Sequence, residues 1–142
     1  MPQSESDILV VRFGAGTVPA ALADLPVGGL DDLRDAPTLR RIIVVGEPAA
    51  AGADLAAVLT TLLRAGRLDV EVAPLRTVGP RRARAGAVRR VPLIRDETGQ
   101  VIVGSARWLP PAGARTLHGE AVVDDTALFD GDVPEILIEP TA

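Results

Sequence analysis

The 142-residue sequence contains no cysteine, no lysine and no tyrosine, and it has only one histidine, one tryptophan and two phenylalanines. Without cysteine there can be no disulfides, no thiolate metal ligands and no cysteine nucleophile. Without lysine there is neither a phosphate-binding P-loop lysine nor a Schiff-base lysine. Aromatic residues make up 2% of the chain, so it lacks stacking surfaces for single-stranded nucleic acid. We therefore expect no nucleic-acid partner, and several classes of enzyme are excluded.

Long hydrophobic runs are also missing. No stretch approaches the roughly eighteen uncharged apolar residues that a membrane helix needs, so we predict no membrane span. The first residues, MPQSESD, lack the basic and apolar regions of a signal peptide, and we expect a soluble cytoplasmic protein. This length suits one domain, or one α/β lobe joined to a small β lobe.

The clearest structural pattern lies between Arg41 and Gly66. The run from Ile42 to Val45 is continuously apolar and β-branched, which predicts a strand buried on both faces of a parallel sheet. Asp54 is predicted as the N-cap of an amphipathic helix, and Gly66 supplies the left-handed position after its end. The apolar residues that recur at helical spacing are Leu55, Val58, Leu59, Leu62 and Leu63.

The neighbouring segments extend this strand–helix unit. We predict a first strand over Asp7–Phe13, a short helix capped by Thr17, a helical piece at Leu30–Arg34 after a turn, and a returning strand at Asp69–Ala73. The alternation of strands and helices predicts an α/β fold class. We expect residues 1–75 to form a Rossmann-like three-layer lobe with a mainly parallel sheet.

The second half of the chain has a different character. Residues 76–90 are interpreted as an Arg-rich junction without regular structure, and residues 91–142 as a small antiparallel β lobe, either separate or continuous with the same domain. Turns are expected at Asp96–Gly99 and at Asp130–Gly131. The predicted strands are Val91–Ile94, Val101–Ala106, Leu117–Val123, Thr126–Phe129 and Glu135–Glu139.

A partial glycine motif follows the first strand. Gly14, Gly16 and Thr17 stand where a dinucleotide fingerprint belongs, and backbone N–H groups at such a turn attract phosphate. Pro19 replaces the third glycine, and Glu47 lies further along the chain than a ribose-binding acid normally does. The motif supports two interpretations, a phosphate site or a plain tight turn.

Seven arginines and no acidic residue lie between positions 76 and 95. Such a segment could bind a phosphate or an anionic lipid headgroup, with Arg81 and Arg82 as candidate ligands. The alternative is a solvated segment whose charge is balanced by the acidic remainder of the chain. The seven residues are Arg76, Arg81, Arg82, Arg84, Arg89, Arg90 and Arg95.

No catalytic or metal-binding motif is complete. The single His118 is not part of an HExxH pattern, and Ser105 does not stand in a nucleophile elbow, so we interpret His118 as a surface strand residue. Trp108 either covers a core edge or anchors a partner. Four aspartates depart from the EF-hand spacing and favour ordinary turns, so no metal and no cofactor are predicted. They are Asp124, Asp125, Asp130 and Asp132.

An α/β lobe followed by an Arg-rich junction and a β lobe resembles the NAD kinase and diacylglycerol kinase superfamily. In that family a GGDGT motif between a strand and a helix binds the nucleotide. Here the corresponding segment is Val44–Pro48, which shares only Gly46. Glu47 would repel a phosphate and Pro48 lacks a donor.

The segments VPLIRDETGQVIVG and LHGEAVVDDTALFDGDV also resemble uncharacterised actinobacterial proteins, some of which carry a peptidase label. The HExxH pattern that would support that label is absent. Those relatives continue past residue 142, so we expect this chain to be the N-terminal part of a longer one.

Three hypotheses follow. The first is a non-catalytic α/β domain, a degenerate kinase-like fold that acts by binding or self-association. The second is a divergent nucleotide-dependent phosphotransferase, similar to an NAD or lipid kinase, that holds phosphates with Gly14–Thr17 and the arginines. The third is a homodimer that pairs through the β edge at Glu135–Glu139. The missing catalytic motifs favour the non-catalytic interpretation.

Overall fold

The computed structural model describes residues 6–123 and 125–139. Two α-helices are present in these ranges, α1 Ala51–Arg64 and α2 Pro80–Ala85, and short 3₁₀ turns cover Ala20–Leu22, Leu30–Leu33 and Pro48–Ala50. The strands are β1 Ile8–Arg12, β2 Val27–Gly28, β3 Arg41–Val45, β4 Glu71–Pro74, β5 Ile94–Arg95, β6 Val101–Ile102, β7 Ala106–Trp108, β8 Leu117–Val123, β9 Thr126–Val133 and β10 Ile136–Ile138.

The chain divides into two compact units, with the boundary between Val103 and Gly104. The first unit contains a four-stranded parallel sheet in the order β2–β1–β3–β4. The remaining sheets are two-stranded and antiparallel: β5–β6, β7–β10 and β8–β9. The predicted α/β class, with a mainly parallel sheet followed by antiparallel strands, is confirmed at this level.

The parallel sheet is buried on both faces. Every residue of β3 is buried, and successive residues of a strand point to opposite faces, so β3 contributes to two hydrophobic clusters. One cluster contains Val58 and Leu62 of α1. The other contains Ala83 of α2 and Leu22 of the first 3₁₀ turn. The strand residues divide accordingly into Val11, Ile42 and Val44 on one side and Val10, Ile43, Val45 and Ala73 on the other.

Most of the predicted α/β elements are confirmed. The strands predicted at Asp7–Phe13, Ile42–Val45 and Asp69–Ala73 correspond to β1, β3 and β4. Gly66 has a φ of 67°. Its N–H donates to the carbonyl of Leu63 and the next N–H donates to that of Leu62, which together form a Schellman motif.

Three local predictions in the first unit are wrong. Thr17 does not cap a helix, because the chain there forms only the 3₁₀ turn Ala20–Leu22, which Pro19 precedes. β2 occupies a segment predicted as a turn, because Val27 and Gly28 pair with β1. Asp54 is not an N-cap, because the 3₁₀ turn Pro48–Ala50 starts the helix earlier, at Ala51.

Part of the segment predicted as an irregular Arg-rich junction forms helix α2. Pro80 occupies its first turn, where the fixed φ of proline favours a helix start. Ala83 is fully buried against the sheet. Arg41 of β3 donates to the carbonyl oxygens of Ala83 at 3.0 Å and Gly86 at 2.8 Å, so the end of α2 is fixed by a buried side chain.

The turn predicted at Asp96–Gly99 is confirmed as that of the hairpin β5–β6. Its strands differ from the prediction, because they cover Ile94–Arg95 instead of Val91–Ile94 and Val101–Ile102 instead of Val101–Ala106. Gly99 has a φ of 83°, and the Asp96 carboxylate accepts hydrogen bonds from the N–H groups of Thr98 and Gln100. The hairpin belongs to the first unit. The buried N–H of Val101 donates to the Thr60 hydroxyl of α1 at 2.9 Å.

The second unit contains β7 to β10. The turn predicted at Asp130–Gly131 is wrong, because β9 continues through both residues to Val133. Gly131 pairs with Gly119 of β8 and adopts a φ of 137°, a value that glycine accommodates without a Cβ clash. The strand prediction for β8 is confirmed. None of the helices in residues 6–123 and 125–139 is long and apolar enough to span a bilayer.

Arg41 and its neighbour Arg40 provide a test of the buried ion pair. Arg41 is 5% exposed and binds Glu71 at 2.7 Å besides the two carbonyls of the α2 segment. Because Arg41→Gln leaves these acceptors without their partner, we expect it to lower the free energy of unfolding by about 3 kcal/mol. The Arg40 side chain, 56% exposed, pairs with Asp7 at the surface, and Arg40→Gln should cost less than about 1 kcal/mol. Urea unfolding of both variants measures the difference, and equal losses would contradict the assignment.

Candidate ligand-binding cleft

A cleft of about 240 Å³ lies at the carboxyl edge of the parallel sheet. The chain runs from β1 to β2 on one side and returns to β3 on the other, so the sheet has a topological switch point between β1 and β3. Ligands of open α/β sheets bind outside the carboxyl ends of the strands at such points. The lining comes from Thr17 after β1, Val44–Gly46, Ala51 and Asp54 of α1, and Pro74–Arg76.

Asp54 is the unusual side chain of the cleft. The residue is only 8% exposed, and its buried Oδ2 has no hydrogen-bond partner among the described residues. An unsatisfied buried acceptor costs about 1–3 kcal/mol, and more if it is charged. The fold therefore keeps a costly carboxyl group at the cleft, and a ligand that donates a hydrogen bond to this carboxyl group would offset part of that cost.

Burial raises the pKa of the Asp54 carboxyl above its ordinary value, because desolvation disfavours the charged form. The carboxylate of Glu47 adds repulsion in the same direction. Two acidic groups thus act together beside the cleft. Their field disfavours a phosphate and favours a hydrogen-bond donor or a cation.

Two glycines allow the turns after β1 and β3 to touch. A Cβ at Gly46 would collide with Oδ2 of Asp54, and a Cβ at Gly16 would lie 2.8 Å from the Cα of Gly46. The close approach of these two turns accounts for both glycines without a ligand. Gly14 has a φ of 54°, with the Glu47 carboxylate beside it.

The structure separates the residues that were predicted to bind phosphate. Gly14, Gly16 and Thr17 lie in one turn, and Thr17 lines the cleft. Arg81 and Arg82 lie on α2 and line a different, shallow depression. The arginine that does line the cleft is Arg76, two residues after the end of β4.

The arginines of the basic segment have different roles. Arg84 forms a bidentate pair with Asp24, at 2.7 and 2.6 Å, and this hydrogen bonding lowers the pKa of the Asp24 carboxyl. Arg76 is exposed and makes no ion pair or side-chain hydrogen bond within the described part of the chain. Its guanidinium is thus available to a ligand.

Two other candidate residues, His118 and Trp108, belong to the second unit. His118 is an exposed strand residue, as predicted, and its Nδ1 lies 3.1 Å from a carboxylate oxygen of Asp132. Trp108 lies in β7 and is 40% exposed. Within residues 6–123 and 125–139, no three His, Asp or Glu side chains are placed to hold a metal ion. Asp124, one of the four aspartates considered above, lies outside the described residues.

Sequence reasoning missed Asp54 and Arg76, although both left a signal. Asp54, Val58 and Leu62 are spaced four residues apart and are all buried, so an acidic residue stands in phase with an apolar helix face. Arg76 lies three residues after the end of a predicted buried strand, at the edge where parallel α/β sheets bind ligands. Interpreting Asp54 as a cap concealed the first of these signals.

The raised pKa of Asp54 predicts a characteristic pH dependence. A carboxyl whose pKa is raised in the folded state does not lower stability at pH values below its unfolded-state pKa of 3.8. Its full destabilising effect is present at pH values above its folded-state pKa. Asp54→Asn should therefore raise the free energy of unfolding at pH 7, by about 1 kcal/mol, and the gain should vanish towards pH 3.

Asp69 provides a control of opposite sign. Its hydrogen bond with Arg67 lowers the pKa of the Asp69 carboxyl, so its stabilising contribution is present above pH 3.8 and is lost as the pH falls through the folded value. Asp69→Asn should slightly destabilise the protein at pH 7. Chemical unfolding at pH 3, 5 and 7 measures both variants. A destabilised Asp54→Asn protein at pH 7 would show that Oδ2 has a partner after all.

Comparison of the chain with family models, with curated proteins and with solved structures finds no match. The proposals below therefore depend on the residues of this chain alone.

Proposed function

We propose that this chain is a non-catalytic α/β domain that binds a small ligand at the carboxyl edge of its parallel sheet. The observation that carries the proposal is Asp54, which lines the cleft and whose buried Oδ2 lacks a hydrogen-bond partner among the described residues. Stability alone would select against such a group. A role in binding accounts for its retention, because the ligand supplies the missing donor.

The proposal includes a Rossmann-like three-layer arrangement of the first unit. Its support is the pair of hydrophobic clusters, one with α1 residues and one with the α2 residue Ala83. In this proposal the fold is a degenerate kinase-like one. Glu47 and Pro48 occupy the turn after β3 where a phosphate loop would lie, and two carboxylates at the cleft oppose nucleotide phosphates.

Ligand-dependent stabilisation tests the binding function. A ligand at a hundred times its Kd stabilises the folded state by about 2.7 kcal/mol, so one class in a panel of amino acids, sugars, nucleosides and nucleotides should raise the Tm. Gly46→Ala displaces the Asp54 carboxylate and should abolish that shift. Gly52→Ala is the matched control, because a Cβ at Gly52 meets no atom within 4 Å.

The non-catalytic part of the proposal has its own test. The purified chain should not turn over ATP with NAD or with a lipid acceptor. Measurable phosphoryl transfer, lost when Thr17 is replaced by alanine, would instead establish the divergent phosphotransferase.

A second function, self-association, is favoured by the small sheets and the exposed apolar side chains of the second unit. None of the residues 104–122 and 125–139 is buried, and its two sheets have two strands each. A two-stranded sheet without a hydrophobic core is marginal in water. Large apolar side chains are exposed on several of its strands and directly after β7, and the edge strand β10 could pair with a second copy. These side chains are Trp108, Leu109, Val122, Leu128 and Leu137.

Sedimentation over a concentration series tests this second function. The wild-type chain should form a dimer. Leu137→Lys in β10 should raise the dissociation constant of this dimer at least tenfold. Val88→Lys, at an equally exposed position of the first unit, should have no effect. A wild-type chain that stays monomeric at millimolar concentration would refute self-association.

A further inference from the structure

The cleft carries opposite charges on different elements. Asp54 of α1 contributes a buried carboxylate, and Arg76 after β4 contributes an exposed guanidinium. We propose that the ligand is a small zwitterion of the amino-acid class, whose ammonium group binds Asp54 and whose carboxylate binds Arg76. This inference rests on the proposed binding function and specifies its ligand.

The ammonium end follows from the surroundings of Asp54. Asp54 lines the cleft and its Oδ2 lacks a donor among the described residues, so its carboxylate suits an ammonium group, which supplies three N–H donors and a compensating charge. Hydrogen bonds between charged partners are about twice as strong as neutral ones. Glu47 directly follows Gly46 of the lining, and its negative charge also raises the pKa of the Asp54 carboxyl. A neutral donor would leave these negative charges uncompensated.

The carboxylate end follows from Arg76. Its planar guanidinium matches a carboxylate in bidentate geometry, and no acidic side chain of the described residues pairs with it. Thr17 lines the same cleft and adds a hydroxyl that can donate to the second carboxylate oxygen.

The size and lining of the cleft restrict what joins the two charged groups. Its volume of about 240 Å³ lies below the roughly 300–1,000 Å³ of clefts that hold drug-sized ligands. Val44, Val45, Leu75 and Pro74 make much of the wall apolar, which suits a short aliphatic segment. The negative charge of Asp54 in the lining disfavours a nucleotide, whose phosphates would lie beside it.

Titration of the ¹⁵N-labelled protein with a matched set of compounds tests the inference. β-Alanine carries both charges, n-propylamine only the cation and propionate only the anion, on a chain of the same length. We expect β-alanine to shift the backbone amide signals of Thr17, Gly46 and Leu75 with a Kd at least tenfold lower than either analogue.

Four variants assign the two ends. Asp54→Asn should weaken β-alanine and n-propylamine at least tenfold and leave propionate unchanged, whereas Arg76→Gln should weaken β-alanine and propionate only. Glu97→Gln and Arg90→Gln alter exposed charges outside the cleft lining and should leave all three unchanged. Equal losses for the three compounds in either cleft variant would contradict the assignment.

Two further compounds separate failure of this inference from failure of the proposed function. If ribose or inorganic phosphate shifts the same amides with a lower Kd than β-alanine, the cleft binds a ligand but the zwitterion is wrong. If no compound of the set shifts these amides at millimolar concentration, both the zwitterion and small-ligand binding at this cleft are refuted.

Discussion

The buried guanidinium of Arg41 is the interaction on which the first unit depends. It stands at the start of β3, the most deeply buried strand, and joins three elements by hydrogen bonds: β3 itself, Glu71 of β4, and the carbonyls of Ala83 and Gly86 at the end of α2. A buried charge is tolerated only when it is paired and its donors are satisfied. The position of α2 against the sheet is therefore coupled to the register of β3 and β4.

The opposite end of the same strand has the reverse property. At the amino end of β3 every polar demand of Arg41 is met, whereas at the carboxyl end the chain leaves Asp54 Oδ2 without a partner. The contact of the two turns at Gly16 and Gly46 holds this end together without side chains. The hydrogen bonds of Arg41 thus stabilise the unit at the amino end of β3. Beside the carboxyl end of β3, Asp54 of α1 keeps an unpaired oxygen at a place suited to binding.

Elements defined by the residues of a short segment could be predicted from the sequence. Elements that form only because of a tertiary contact could not. The apolar run of β3 and the left-handed Gly66 define their elements within a few residues, and both are confirmed. Helix α2 was missed because its stability comes from Ala83 packing on the sheet and from Arg41, which is about forty residues away. The two-residue strand β2 was missed because pairing with β1 alone creates it.

The site shows the same limit. The glycine turn after β1 could be located from its residues. That Thr17, Asp54 and Arg76 line the same cleft depends on the strand order of the sheet. No local pattern states that order. Arg81 and Arg82 were grouped with the glycine turn because of their positive charge alone, since the sequence does not give their position in space. The structure places them on a different surface.

The absence of a buried residue among residues 104–122 and 125–139 of the second unit also determines how its sequence can vary. In an isolated chain most side chains of residues 104–122 and 125–139 are exposed, and surface substitutions change stability by less than about 0.5 kcal/mol. Polar replacements at these exposed positions would be tolerated. If copies of the chain assemble through it, one face of each strand becomes intolerant. Mutational tolerance, measured position by position along β7 to β10, would then trace the contact surface with a period of two residues.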